Sequence, residues 1–407
     1  MAQLYTSFQT RMNPPQVLPP TFDPFHHALN RLRTTAMSDC THDATHDRSF
    51  SRPFTVSEID AVKDHIRANC RGTAHGLDDI GYDEVLDIPS ERLAALFQLC
   101  IDDLSIPQAW LTAAIAAVKK PRKDGTDPES YRTIGLESCL LKALTLLIDR
   151  RFREWAEGAA KLPDEQSGFR KGHRAINNVF ILRTLIDKAR HIRRPLYVVY
   201  LDLSNAYPSV DQPSLWVKLA DAGAQGPLVD WLRLLYANLS YVVRHDGELS
   251  ESFRALAGIL TGDPLSPILW ILFVADLRVP PHPDDLVLGG IPVSLLLVAD
   301  DILLASASPQ GVQCKLRHVQ AFCDANFLSI NVVKTVACVF GPLPRILPTL
   351  WLHGQPVRYV DEATYVGVTL STTTPDIFHR HYARKAQAAR TLANASLSLQ
   401  SHEWTPT

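Results

Sequence analysis

Two adjacent aspartates, Asp300 and Asp301, stand between two aliphatic runs in the segment Leu297-Val-Ala-Asp-Asp-Ile-Leu-Leu304. The flanking runs read as β-strands, and Ala299 to Asp301 reads as a tight turn between them. Like charges side by side at a strand end are costly unless a cation compensates them. Two-residue hairpins ordinarily use Asn-Gly or Asp-Gly, so turn chemistry does not explain the pair. A third carboxylate, Asp202, ends another apolar run, Leu196-Tyr-Val-Val-Tyr-Leu201. If both strand systems share one sheet, the three carboxylates meet at one edge, and hard oxygen donors of this kind suit Mg²⁺. The alternative is two unrelated surface turns.

The rest of the chain can support such a sheet. Of its 407 residues, 46% are hydrophobic and 21% charged, which excludes a wholly disordered protein and fits two or three structural units, or one large domain with subdomains. The 7 cysteines form no Cys-x-x-Cys pair. The longest apolar run, Ile268 to Ala275, falls well short of the roughly 18–20 residues that span a membrane. No basic start followed by an apolar stretch marks a signal peptide. The expected setting is soluble, reducing and intracellular, with nucleus and cytoplasm both open. Charge is uneven: the chain's net is −2, yet residues 119–194 hold 18 Lys/Arg against 10 Asp/Glu. That block is either an electrostatic footprint for a polyanion or a solvated helix surface.

Residues 1–50 show weak periodicity and clustered prolines (Pro14, Pro15, Pro19, Pro20, Pro24), which predicts a flexible lead-in. Within it, Cys40, His42 and His46 have metal-ligand spacing but no partner set. Thr55 to Glu58 matches a capping box, with Ile59, Val62 and Ile66 following at helical spacing. Further helices are expected over about 90–104, 138–157, 174–190, 265–277 and 309–327, and over 213–240 with a break near Gly223–Gly226. Strands are expected at 196–201, 293–298, 302–305, 336–340 and 365–370.

Taken in order, several motifs give the chain a family likeness. Ile106-Pro-Gln-Ala-Trp110, Lys119-Lys120-Pro-Arg-Lys-Asp-Gly125 and Tyr131-Arg132-Thr-Ile134 come first. Gln166-Ser-Gly-Phe-Arg170, Tyr200-Leu-Asp202-Leu-Ser-Asn-Ala-Tyr207 and Gly258-Ile-Leu-Thr-Gly262-Asp-Pro-Leu-Ser-Pro267 follow. Val298-Ala-Asp300-Asp301, Leu328-Ser-Ile-Asn-Val-Val-Lys334 and Tyr365-Val-Gly-Val368 complete the set. From about Thr55 to Leu370 the chain resembles the reverse transcriptases of non-LTR (LINE-like) retrotransposons. A lone Ala-Asp-Asp is weak; the ordered set is specific.

The resemblance implies an α/β, right-hand polymerase fold, with fingers, palm and partial thumb, and an antiparallel palm sheet flanked by helices. It implies a division into a lead-in (1–50), a helical N-terminal extension (51–110), a reverse transcriptase domain (111–370) and a truncated thumb or C-terminal helical tail (371–407). It implies RNA-directed DNA synthesis on an RNA template, from a DNA primer and dNTPs, with no membrane involved. Asp202, Asp300 and Asp301 would be the catalytic metal ligands for two Mg²⁺ ions, with Mn²⁺ as an alternative, and Asp202 and Asp300 the better ligands. Lys120 (or Lys119) and Arg132 would clamp the triphosphate. Arg170 would contact template or nucleotide, or form a structural ion pair. Tyr207 would either exclude a 2′-hydroxyl or pack under the palm. Gly262 would let the backbone approach the nucleotide. Lys334 would either protonate the leaving pyrophosphate or face solvent.

The sequence departs from the family pattern at three places. Thr261 stands where Gln usually precedes the motif glycine, Val298 where an aromatic usually opens the Asp-Asp motif, and Tyr207-Pro208 where Phe-Asp is common. None removes a carboxylate. The competing expectation is a catalytically degenerate relic that binds nucleic acid without polymerising.

Overall fold

The computed structural model describes residues 2–13, 21–37, 48–121 and 123–401, with side chains for all of these but 129 and 397–401. The chain forms two compact units, and it passes between them more than once. One comprises Glu165–Leu203, Arg278–Ala321 and Ile330–Thr407; the other comprises Met1–Asp164, Ser204–Leu277 and Phe322–Ser329.

The first unit is built on a five-stranded sheet. Its order is Leu295–Val298, Asp301–Ser306, Leu196–Leu201, Val336–Phe340 and Arg358–Tyr359. Each neighbour pair is antiparallel except the last, which is parallel. That exception obliges residues 341–357 to carry the chain back along the sheet before it pairs again. Leu343 and Ile346 in this return are 69% and 80% exposed.

All six residues of the central strand Leu196–Leu201 are buried, which accounts for its continuous apolar run. On one face Leu196, Val198 and Tyr200 pack with Leu303, Ala305, Cys338 and Phe340 beneath the helix Ala175–His191, which contributes Val179, Leu182, Leu185, Ile186 and Ala189. Alternate residues reach this cluster because strand side chains repeat every second position. Burying each such aliphatic or aromatic side chain contributes about 1.5–3 kcal/mol. The expected single strand at 365–370 is instead a hairpin, Glu362–Tyr365 with Val368–Ser371. Its turn residues Val366 and Gly367 both have positive φ, 43° and 82°, the requirement of a two-residue hairpin turn. A helix, His379–Ser401, follows.

In the second unit the strand Thr112–Lys119 pairs antiparallel with Tyr131–Leu136 and parallel with Ser240–His245. None of these three strands is evident from periodicity. The first is four-eighths alanine, a helix-favouring residue, and the third follows directly on the helix Pro227–Asn238. The capping box forms as expected: Thr55 Oγ1 accepts from the Glu58 N–H at 3.3 Å and Glu58 Oε2 accepts from the Thr55 N–H at 3.0 Å. Burial opposes ionisation of Glu58, but hydrogen bonds from Arg151 and Thr55 outweigh it and hold the carboxyl at about 2.

The flexible lead-in expected over residues 1–50 needs correction where it is described. Helices occupy Ala2–Arg11, Pro24–Ala36 and Arg48–Ser51. Leu4, Phe8 and Met12 recur every four residues and are buried, Phe8 completely. Asp23 caps the second helix, its side chain accepting from the N–H groups of Phe25 and His26, with Pro24 at the first helical position. Asn30 of that helix is 3% exposed and donates to Ser214 Oγ at 2.9 Å. Pro24 therefore opens a helix rather than loosening the chain, and Pro14, Pro15, Pro19 and Pro20 lie outside the described residues. The Cys40, His42 and His46 group lies outside the described residues. Among the described residues no helix is long and apolar enough to cross a membrane.

Candidate active site

The sheet of the first unit brings the three carboxylates to one edge. Ile302 pairs with Leu201; the same antiparallel register carried one residue further sets Asp301 beside Asp202. Cross-strand neighbours of this kind have Cβ atoms about 4.5–5.5 Å apart. Val298 pairs with Asp301, so Ala299 and Asp300 form the two-residue turn between the strands. The positive φ that such turns need falls on Ala299 (57°), not on either aspartate. A residue with a Cβ in that conformation costs roughly 1–2 kcal/mol.

What holds Ala299 there is a side chain to which the sequence reading gave no role. Gln166 is 0% exposed. Its Oε1 accepts from the Ala299 N–H at 2.9 Å and from the Gly168 N–H at 2.8 Å, and its Nε2 donates to the Ala299 carbonyl at 3.3 Å. The backbone continues the support: the Leu297 N–H donates to Glu165 O and the Ser167 N–H donates to Leu297 O, both at 2.9 Å. Asn178 adds a third tie, accepting from Ser167 Oγ and donating to Leu297 O and Tyr365 Oη. A Cβ at Gly168 would lie 2.2 Å from the Ala299 nitrogen, so only glycine lets the segment seat against the turn. The Gln-Ser-Gly triplet was the available signal, but its partner lies more than a hundred residues away.

Asp202 is fixed through its backbone. Its N–H donates to the buried Thr335 Oγ1 at 3.3 Å, and its carbonyl accepts from the Asn331 N–H at 2.8 Å. Its Oδ2 is buried without a hydrogen-bond donor. Lys334 Nζ stands 3.6 Å from that oxygen, an ion-pair distance, with 68% of the lysine side chain exposed. Lost hydration pushes the Asp300 carboxyl up, and the charge of Asp202 adds to the shift. Lost hydration, then repulsion from Asp300 and Asp202, raises Asp301 to about 6. Arg170 donates through Nη1 to Gln166 O at 3.2 Å, which places it on the segment that braces the turn.

A divalent cation fits this donor set. Carboxylate oxygens are hard ligands, the three groups repel one another as they stand, and one buried oxygen lacks a donor. Among the described residues no three His, Cys, Asp or Glu side chains form a ready-made cage. The carboxylates line an open edge and are not closed into one.

The other five predicted residues belong to the second unit. Lys119 ends its strand opposite Tyr131, and Arg132 pairs with Val118. Arg132 and Ile134 share the exposed face of the Tyr131–Leu136 strand. Gly262, at φ 104°, rests on that face: a Cβ there would be 3.2 Å from Gly135 O and 3.5 Å from Ile134 Cγ2. Lys120 leaves the strand with its N–H on Ser130 O at 2.8 Å. Tyr207 opens a short turn, and its ring lies 5.8 Å from that of Trp270.

Sequence comparison defines the class. The reverse transcriptase (RNA-dependent DNA polymerase) family matches residues 118–370. The chain belongs to that family. It is 30% identical over 287 residues to the probable RNA-directed DNA polymerase from transposon BS of Drosophila melanogaster, covering 68% of this chain and 31% of that protein. It is 26% identical over 305 residues to the polymerase from mobile element jockey of the same species, covering 74% and 33%. The chain thus spans about a third of the length of these relatives. A solved telomerase from Candida tropicalis aligns at 12% identity over 73% of this chain and 48% of that one, with a TM-score of 0.45. Enzymes of the reverse transcriptase family generally use divalent metal ions.

Two outcomes follow for the acidic edge. Gln166→Ala strands the N–H groups of Ala299 and Gly168 and is expected to cost about 2–3 kcal/mol, measured as a shift in the urea midpoint; an unchanged midpoint would show that the turn holds itself. Asp301 has a folded value above its ordinary one, so the stability it allows is complete at low pH and is lost as pH rises toward and through about 6. In chelator at pH 8, Asp301→Asn is therefore expected to melt at a higher temperature than the parent, with the difference vanishing by pH 4.

Proposed function

We propose that this protein extends a primer 3′-hydroxyl with deoxynucleotides on an RNA template. The observation that carries the reading is the register that puts Asp301 beside Asp202, with Asp300 in the adjoining turn. Two Mg²⁺ ions held by Asp202, Asp300 and Asp301 would activate the attacking hydroxyl and stabilise the leaving oxygen. Lys334, beside Asp202, is the group placed to hand a proton to departing pyrophosphate.

Residues of the other matched motifs supply the nucleotide contacts in this reading. Arg132 and one of Lys119 and Lys120 bind the triphosphate, and Gly262 presents bare backbone to it. Tyr207 excludes a ribose 2′-hydroxyl, and its packing on Trp270 makes the ring a stiff wall. Arg170 and the basic block 119–194 meet the template and primer backbone. Residues 111–370 serve as fingers and palm, preceded by the helical segment 51–110 and followed by the helix in 371–407.

Primer extension on an RNA template with dNTPs and Mg²⁺ is the deciding assay. Asp202→Asn or Asp300→Asn is expected to lower extension by about 10³-fold or more, some 4 kcal/mol of barrier, while near-UV circular dichroism stays the same; extension at the parental rate removes the mechanism. Tyr207→Ala is expected to admit ribonucleotides, whereas unaltered sugar selection would leave Tyr207 as packing for Trp270.

A further inference from the structure

The loop carrying Gly262 is secured by a pair of buried acids. Glu137 follows the Tyr131–Leu136 strand and is 1% exposed; Asp263 is 4% exposed. Asp263 is well supplied with donors: Oδ1 accepts from the Leu265 N–H at 2.8 Å and Oδ2 from Thr145 Oγ1 at 2.7 Å. Neither Glu137 oxygen receives a donor from any described residue. The polar group that faces the Glu137 carboxyl is the carboxyl of Asp263, close enough for a hydrogen bond between the two. Two carboxylates can make that bond only if one holds a proton. Asp263, already accepting from two donors, is the better anion, so Glu137 is the donor.

The backbone draws the same two segments together. The Gly135 N–H donates to Thr261 O at 2.6 Å. A Cβ at Gly135 would lie 3.0 Å from that oxygen and 3.2 Å from Glu137 Oε1. One backbone bond and one acid–acid bond thus set Thr261–Asp263 against the strand that carries Arg132.

We propose that Glu137 is a positioning residue for the Gly262 loop: its protonated carboxyl donates to Asp263 and fixes Thr261 and Gly262 against the Tyr131–Leu136 strand. The part of this that concerns nucleotides rests on the polymerase reading above. Ionising Glu137 leaves two negative charges facing each other in an apolar enclosure, so the pair separates and Asp263 carries Gly262 with it. Burial, and then the charge of Asp263, push Glu137 well above its ordinary value; Lys142, whose Nζ donates to Gly135 O, pulls the other way more weakly. The other ionisable groups close to the pair are Asp149 on the helix Cys139–Gly158 and the tyrosines 82, 236 and 241, all three of which burial keeps neutral.

The test compares the parent with Glu137→Gln, whose amide still donates to Asp263 but carries no titrating proton. A carboxyl raised in the folded state loses its contribution as pH climbs from its unfolded value, about 4.3, through its folded one. The parent's melting temperature is therefore expected to fall across pH 5–9 more steeply than that of the variant. Hydrogen exchange over 258–265, corrected for intrinsic rates, is expected to quicken about tenfold more in the parent between pH 7 and 9. In extension assays the parent's KM for dNTP is expected to rise about fivefold over that interval with kcat little changed, and the variant's KM less than twofold. Parallel melting slopes, or equal exchange in the two proteins, would overturn the proposal. Should Glu137→Gln not fold, Asp263→Asn reverses the donor and is expected to flatten the same slope. If slopes and exchange behave as expected but no primer is extended, the acid–acid bond stands and the polymerase reading falls.

Discussion

One buried amide group governs the acidic turn. The two strands that flank Ala299 and Asp300 would join more cheaply through glycine, yet the chain places alanine at the positive-φ position. Gln166 answers both the N–H and the carbonyl of that residue. The carboxylates can then crowd one sheet edge without the turn relaxing away from their repulsion. The placement of the carboxylates at that edge depends on this brace.

The molecule handles neighbouring acids in two ways. At the sheet edge, Asp202, Asp300 and Asp301 remain accessible and mutually repelling, which leaves a cation as the natural relief. Under the Gly262 loop, Glu137 and Asp263 are sealed from solvent and relieve the same problem with a shared proton. The difference is burial. An ion needs ligand exchange and an open path, whereas a proton fits between two oxygens in a closed space. The first arrangement suits a place where substrates come and go; the second suits a joint.

The acidic edge was legible because carboxylates at the ends of unbroken apolar runs conflict with what burial allows. The central strand and the helix above it were equally legible, since Leu196–Leu201 has no polar face to offer solvent. The strand Thr112–Lys119 was not, because alanine carries little strand signal and its partners lie far along the chain. The helix Pro24–Ala36 was hidden by a proline that in fact marks its start. Gln166 and Glu137 escaped for a common reason: each acts through backbone or carboxyl atoms of residues more than a hundred positions away, and no local pattern encodes such a contact.

The parallel pairing of Val336 and Ala337 with Arg358 and Tyr359 has its own corollary. The excursion between them is spanned by a long connection on the outer border of the sheet, four strands away from the Leu295–Val298 strand. That connection is itself anchored, for Leu350 and Leu352 are buried within it and Gln313 bonds both the N–H and the carbonyl of Trp351, so the strand Arg358–Tyr359 is delivered to the sheet by a fixed arm.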